Sequence, residues 1–283
     1  IFIGTWAQNG FYNTNKISKI EITFNESNWD RILDSIKPSD TYWKAKSVRV
    51  NDSLFTNIGV KYKGNSSYDS TYKKNPLHVV LDEYTSQNYY GITDIKLSNE
   101  YYDPSMIREV ISYQALQQYM DAPQCNFAVV YVNGKYMGIY SSTENIGKTF
   151  VSTHFYSKKT NTFFKCNPPV LNPSVSTKCN LKYITADSTS YQDFYELKSS
   201  TGWSDLVKLC DSVTNAPVSM ARNLNTDRWI WMLAFNNLFL NFDSYSGAFS
   251  QNYYLFKDDN GAFNPIVWDM NMSLGGFPFV GSG

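Results

Sequence analysis

Apolar and polar positions alternate with a period of two along most of the first half of the chain, and this predicts a lobe built mainly of strands. Ile17 to Phe24 reads I-S-K-I-E-I-T-F, a strand with one buried face. Asn28 to Leu33 reads as a short helix ending before Pro38. Tyr42 to Val50 and Leu54 to Lys63 follow as two strands joined through Asn51-Asp52-Ser53, so the start of the chain predicts an antiparallel meander. Lys74 to Asp82 and Asp94 to Asn99 predict further strands. Asp103-Pro104-Ser105 opens a helix from Met106 to about Met120, with Ile107, Val110, Ile111, Ala115 and Leu116 as its apolar stripe. Phe127 to Tyr140 carries Asn133-Gly134 at its centre, the strongest short hairpin signal in the chain.

Beyond Thr143 the period changes, and helices are predicted at Gly147 to Tyr156, Ser188 to Leu197 and Trp203 to Ser212. The most apolar helix, Trp229 to Leu240, is apolar nearly all round and is therefore predicted to be central. Residues 157–190 form a long polar insertion. The stretch 241–276 ends the pattern with a hairpin, Tyr253 to Phe256 and Phe263 to Trp268, turning at Asp259-Asn260-Gly261. The expectation is an α+β chain with a sheet-rich lobe over 1–143 and a mainly helical lobe over 144–283.

Composition narrows the function. With 42% hydrophobic and 18% charged residues the chain is globular, and 25 basic residues balance 25 acidic ones, so no global field favours nucleic acid or an anionic membrane. No apolar run approaches the length of a membrane helix. Only two histidines occur, His78 in a strand-like run and His154 in a predicted helix, and both read as structural. The four cysteines include no C-x-x-C pair, which argues against zinc. Cys166 and Cys179 flank a loop that would gain from a disulfide clasp. Together with sequons at Asn25, Asn51, Asn65 and Asn271, the even cysteine count tilts the expectation toward a secreted or cell-surface protein.

Candidate chemistry gathers at the last hairpin. Its strands would carry Asn252 in and bring Asp269 back out, so that both face one point, while Asp243 sits on the loop feeding them. Oxygen ligands of this kind suit a hard divalent cation. Asp243 would then reach a bound hydroxyl as a base or an orienting carboxylate. The competing reading is ordinary turn and cap chemistry, for which Asp and Asn are common residues. In the first lobe, Lys63 to Ser67 reads K-G-N-S-S, a polar loop able to offer N–H groups and hydroxyls to an anion.

Ordered strings along the chain resemble the CotH family of spore-coat-protein-H-like atypical kinases. They are K-Y-K-G-N-S-S from Lys61, K-x-P-x-x-x-x-L-D from Lys74, L-S-N-x-x-x-D-x-S-x-x-R from Leu97 and V-Y-V-N-G-K-Y-M-G-I-Y-x-x-T-E from Val130. Y-x-x-F-Y-E-L-K from Tyr191, N-x-D-S from Asn241, N-Y-Y-L-F from Asn252 and W-D-M-N-M-S-L-G-G from Trp268 complete the set. The resemblance implies an atypical protein-kinase-like bilobal fold. Its N-lobe would be an antiparallel sheet with one long helix, and its C-lobe mainly helical. It further implies binding of ATP with Mg²⁺, or Mn²⁺ or Ca²⁺ in its place, and phosphoryl transfer to a Ser or Thr hydroxyl of a protein substrate at the cell surface or in a spore coat.

By similarity Asp243 takes the place of the catalytic Asp, and Asn252 and Asp269 those of the metal ligands. Lys74 takes the place of the phosphate-binding Lys with Glu109 as its partner. Lys63, Asn65, Ser66 and Glu144 join the nucleotide-binding set. Spacing alone does not select Lys74 over Lys63. The sequence departs from kinase patterns in having no G-x-G-x-x-G and no H-R-D before Asp243, and Asn271 stands where many relatives carry a second Asp after W-D. Two other function classes stand beside the kinase. One is a non-catalytic binding module, an adhesin or assembly factor, on the same scaffold. The other is a carbohydrate-active enzyme, which needs a carboxylate pair at a defined separation.

Overall fold

The computed structural model describes residues 10–64, 66–168 and 179–277. They form two compact units, one from residues 1–114 and 124–145 and the other from 115–123 and 146–283.

The first unit holds β1 (Ser18–Thr23), α1 (Trp29–Ile36), β2 (Trp43–Val50), β3 (Ser53–Tyr62), β4 (Leu77–Val80) and β5 (Asp94–Ser98). It continues with α2 (Arg108–Leu116), whose last two residues belong to the other unit, and with β6 (Cys125–Val132) and β7 (Lys135–Thr143). The strands close into a barrel in the order β1-β2-β3-β4-β5-β7-β6. The meander from β1 to β5 is antiparallel as its alternation predicts, but a purely antiparallel sheet is not what forms. The barrel closes through a parallel β1–β6 pair, Ile20 opposite Val130. Closure removes both sheet edges, which would otherwise present unpaired backbone groups.

Alternation carries Ile20, Ile22, Val48, Val60, Ile95 and Val130 into the barrel core, where each is fully buried. Burying a side chain of this size is worth roughly 1.5–3 kcal/mol. The hairpin turn at Asn133 and Gly134 has both residues at positive φ (48° and 76°), as a primed turn requires. The Asn133 side chain also accepts from Phe24 N at 2.7 Å, which ties the turn to β1.

Helix α2 is shorter than its pattern predicts. Met106 has φ +59°, so it lies outside the helix, and Asp103 caps the start by accepting from Ser105 N at 2.9 Å and Arg108 N at 2.8 Å. Of the predicted stripe, Val110 and Leu116 are buried while Ile107 and Ile111 are exposed. Lys74, expected at a strand start, lies in the turn before β4, with Pro76 between.

The second unit holds α3 (Lys148–His154), β8 (Phe163–Cys166), β9 (Glu196–Leu197), α4 (Trp203–Asn215), α5 (Pro217–Met220), α6 (Thr226–Leu238), β10 (Tyr253–Lys257) and β11 (Phe263–Val267). Its antiparallel sheet has the order β11-β10-β8-β9. Phe150, Phe163, Phe256 and Ile266 form its core. Pro265 is tolerated in β11 because that strand is an edge.

Two predictions fail in this unit. The helix expected over Ser188 to Leu197 is a single 3₁₀ turn, Ser188–Tyr191, capped by Asp187 accepting from Thr189 N at 3.0 Å. The chain then pairs Glu196 and Leu197 with the free edge of β8 instead. The helix expected to be buried all round, α6, leaves Ile230 60% and Leu238 77% exposed, so it lies at a surface rather than at the centre.

The expected Cys166–Cys179 disulfide is not formed. All four cysteines are free, buried thiols, and the Cys179 thiol donates to Phe194 O at 2.7 Å. The case for secretion therefore loses its disulfide. One of its sequons weakens too, because the Asn51 side chain is engaged with Lys19 N and the Tyr89 hydroxyl. No helix among the described residues is long and apolar enough to cross a membrane.

Candidate active site

In the second unit, α6 runs into Asn241, whose backbone N–H and side-chain amide are bonded to Asn236. Ser244 Oγ donates to Asn241 O at 2.6 Å and tightens the following turn. That turn presents Asp243, which is largely enclosed. Gln251 Nε2 donates to Asp243 Oδ1 at 2.6 Å, and Asn252 Nδ2 donates to Asp243 O at 2.8 Å. Burial pushes the Asp243 carboxyl above the ordinary carboxylate range, and the side chains of Gln251 and Asn252 pull it back.

The hairpin β10–β11 sets Asn252 beside Asp269. Tyr253 pairs with Val267, and Trp268 N donates to Asn252 O at 3.1 Å, so the two polar residues leave adjacent strands at the same open end. Both have left-handed backbones, each with φ 60°. Asn and Asp adopt that conformation more readily than other non-glycine residues, so both turns suit the residues that occupy them.

Three amide oxygens near this turn, Asn241 Oδ1, Gln251 Oε1 and Asn271 Oδ1, are buried and receive no hydrogen bond. Buried acceptors are satisfied by protein, water or an ion, and no protein group donates to these three. A hard cation takes oxygen donors of this chemistry, and the residues present fit one. No group of three or more His, Cys, Asp or Glu gathers as a metal site among the described residues. An ion here would rest on amide oxygens as well as carboxylates. The engagement of Gln251 and the stranded oxygens of Asn241 and Asn271 were not visible in the pattern, because burial and pairing are tertiary.

The first unit places its predicted residues as follows. Lys63 Nζ donates to Ser98 Oγ at 3.0 Å, and Asn65 lies outside the described residues. Ser66 is exposed, with its carbonyl accepting from the Tyr102 hydroxyl at 3.1 Å. Gly64 has φ +78°, a backbone conformation that favours glycine. Lys74 lies over the Tyr140 ring, 5.2 Å from its centroid, and against Gly138. Burial lowers the Lys74 ammonium, and Glu100 raises it.

The acid that acts on Lys74 is thus Glu100, a residue absent from the predicted set. The expected partner, Glu109, accepts from Ser141 Oγ at 2.5 Å and Thr143 Oγ1 at 2.7 Å. Asn99 joins the two loops, its Nδ2 donating to Ser67 O and Lys74 O at 2.9 Å each. Glu144 accepts from Gln124 N at 3.0 Å.

The histidines are structural. His78 bridges the Tyr42 hydroxyl (3.0 Å) and Asp94 (2.9 Å), and burial lowers its pKa, while His154 stacks on Phe150.

The family model described as "CotH kinase protein" matches residues 60–278, most of the chain. The chain belongs to the CotH family. It is also similar to the inner spore coat protein H of Bacillus subtilis (strain 168), with 25% identity over 239 residues. That alignment covers 81% of this chain and 61% of the relative, so the chain spans under two thirds of the relative's length.

Proposed function

We propose that this CotH chain is an atypical protein kinase that binds ATP with a divalent cation and transfers the γ-phosphoryl group to a protein Ser or Thr hydroxyl. The observation that carries the reading is the Asp243 turn, held by Gln251 and Asn252 beside buried amide oxygens that lack donors. On this reading the first unit acts as the N-lobe and the second as the C-lobe.

Asn252 and Asp269 hold the cation, which supplies charge neutralisation to the phosphates. Lys74, or Lys63 with the Gly64 turn, binds phosphate oxygens. Asp243, kept in place by Gln251, orients the acceptor hydroxyl and takes its proton. Phosphoryl transfer asks the protein mainly for positioning and charge stabilisation, which this donor set provides. The similarity to an inner spore coat protein of Bacillus favours acceptors in a spore coat. Label transfer from γ-labelled ATP should occur with Mg²⁺ or Mn²⁺ and vanish in Asp269→Ala, and equal transfer by both proteins would end the proposal.

A binding module is the second reading, favoured by one observation. Tyr101, Tyr102, Met106, Ile107 and Ile111 are exposed together around the start of α2. A partner retained in full by Asp269→Ala without ATP would support it.

A further inference from the structure

The first unit brings together two carboxylates that are nine positions apart in the chain. Glu100 follows β5 in a left-handed turn, with φ +55°, and Glu109 lies in the first turn of α2. They are 8% and 4% exposed. Between them stands Ser141 of β7, its Oγ 2.5 Å from Glu109 Oε2 and also in contact with Glu100 Oε1. A serine hydroxyl has one proton to donate. If both acids were ionised, one of these contacts would set lone pair against lone pair in a buried site, where an unpaired charge is most costly.

The rest of the network decides which acid is ionised. Glu109 receives Thr143 Oγ1 on its other oxygen at 2.7 Å, and Thr143 Oγ1 lies 3.2 Å from Cys125 Sγ. Two hydroxyl donors, one to each oxygen, are the surroundings of a carboxylate. Glu100 receives Ser141 N at 3.2 Å on Oε1, while its Oε2 is buried with no partner.

We propose that Glu100 carries the proton of a shared carboxyl pair, donating it to Ser141 Oγ while Ser141 donates to Glu109. Glu100 is thereby a positioning residue that holds Ser141, and through it Glu109, in place. The protonation stands on the contacts alone, and its consequence for nucleotide binding rests on the kinase reading. The charged and titratable groups around Glu100 are Glu109 of α2, Asp103 of its own segment, and Lys74 before β4. Cys125 of β6 lies within reach as well, its thiol held protonated by burial and by Glu109, and Lys63 at the end of β3 acts on Cys125. Burial first, and Glu109 second, push Glu100 up to about 8.

Above that pH the Glu100 O–H gives its proton to solvent base. Ser141 then faces two anions and can serve only one. Because the folded pKa is raised, the stabilisation is fully present below the ordinary carboxyl range and is lost as pH rises through about 8.

Infrared spectroscopy of the wild-type protein tests this directly. A carboxylic-acid carbonyl band at pH 7 should shift on ¹³C labelling of glutamate, which leaves aspartate bands in place, and should vanish by a pH well above 8. Glu100→Gln, whose NH₂ can donate to Ser141 as the acid does, should remove the band. The denaturant midpoint of the wild type should fall relative to Glu100→Gln between pH 6 and 9. If Glu100→Gln does not fold, the labelled wild-type band still decides.

Absence of a glutamate-sensitive band at pH 7, or a midpoint difference that does not change with pH, overturns the proposal. In the kinase assay the wild-type KM for ATP should rise above pH 8 with kcat less affected, and that of Glu100→Gln should stay level. Protonation without any ATP binding would instead defeat the kinase reading and leave the pair intact.

Discussion

Replacing Asp243 by Asn separates a catalytic role from a structural one, because the two make opposite demands on the side chain. Asn keeps an oxygen where Gln251 Nε2 now donates at 2.6 Å, and the backbone carbonyl that receives Asn252 is untouched. The bond from Gln251 changes from charge-assisted, worth about 1.5–3 kcal/mol, to neutral, worth about 0.5–1.5 kcal/mol. Against that loss, the fold no longer buries a charge whose carboxyl is already pushed up by desolvation. The two effects oppose each other, so the net change in stability should stay within about 1 kcal/mol, a shift of roughly 2–4 °C in Tm for a chain of this size. Turnover should fall by about 10²–10⁴-fold, the usual contribution of a positioned base.

The pH dependence carries the same signature. On the kinase reading the base must be ionised, so wild-type turnover should be lost as pH falls through the raised Asp243 pKa, and Asp243→Asn should lack that acid limb. As a stability contribution the sign is reversed. A raised carboxyl stabilises the fold at low pH, and that contribution is lost as pH rises through its folded pKa. Release of phosphate from ATP, followed beside a thermal melt by circular dichroism, reads both quantities. Unchanged turnover would remove Asp243 from the chemistry, and a loss of several kcal/mol of stability would make it a structural residue.

Two other outcomes follow from groups away from this turn. Arg228, nearly wholly buried, donates from Nη1 to Asp121 Oδ2 and from Nη2 to Asp121 O, each at 2.8 Å, while the Asp121 side chain is 40% exposed. Asp121→Ala removes the acid facing a buried guanidinium but leaves Nη2 its backbone partner, Asp121 O, and with the acid 40% exposed it should cost about 1–3 kcal/mol in urea denaturation, more than Arg228→Ala, which leaves only a half-solvated acid. Equal costs would refute that asymmetry. Alkylation without reductant should modify all four thiols after denaturation and few or none in the native protein, and a limit of two after denaturation would restore the disulfide.

Local chemistry was legible in the chain and long-range pairing was not. The Asn133-Gly134 hairpin and the β10–β11 hairpin follow from period-two alternation around turn residues, and both form with their expected strands. Barrel closure by a parallel β1–β6 pair has no local signature, because Ile20 and Val130 are 110 positions apart. The segment Tyr191 to Leu197 has helical spacing of apolar residues, yet the open edge of β8 supplies backbone partners that outweigh propensity. In α6 an all-apolar pattern predicts a central position, and Ile230 and Leu238 show that such a helix can leave one face in water.

At the candidate site, Asp243, Asn252 and Asp269 were conspicuous as polar residues beside apolar strands. Gln251 looked like any loop amide until the fold turned it onto Asp243. Glu100 follows β5, Glu109 lies in α2 and Ser141 in β7, so the contacts of Ser141 with both acids could not be read from spacing.

On the kinase reading the hairpin end holds a divalent cation that binds nucleotide phosphates. Calorimetric titration of ATP into the wild type and Asp269→Ala, with Mg²⁺ and with chelator, tests it most directly. Saturable binding by the wild type should depend on the cation and be lost in Asp269→Ala while the variant's melt is unchanged. Binding of equal strength in all four titrations, or no binding by the folded wild type with Mg²⁺, would contradict it.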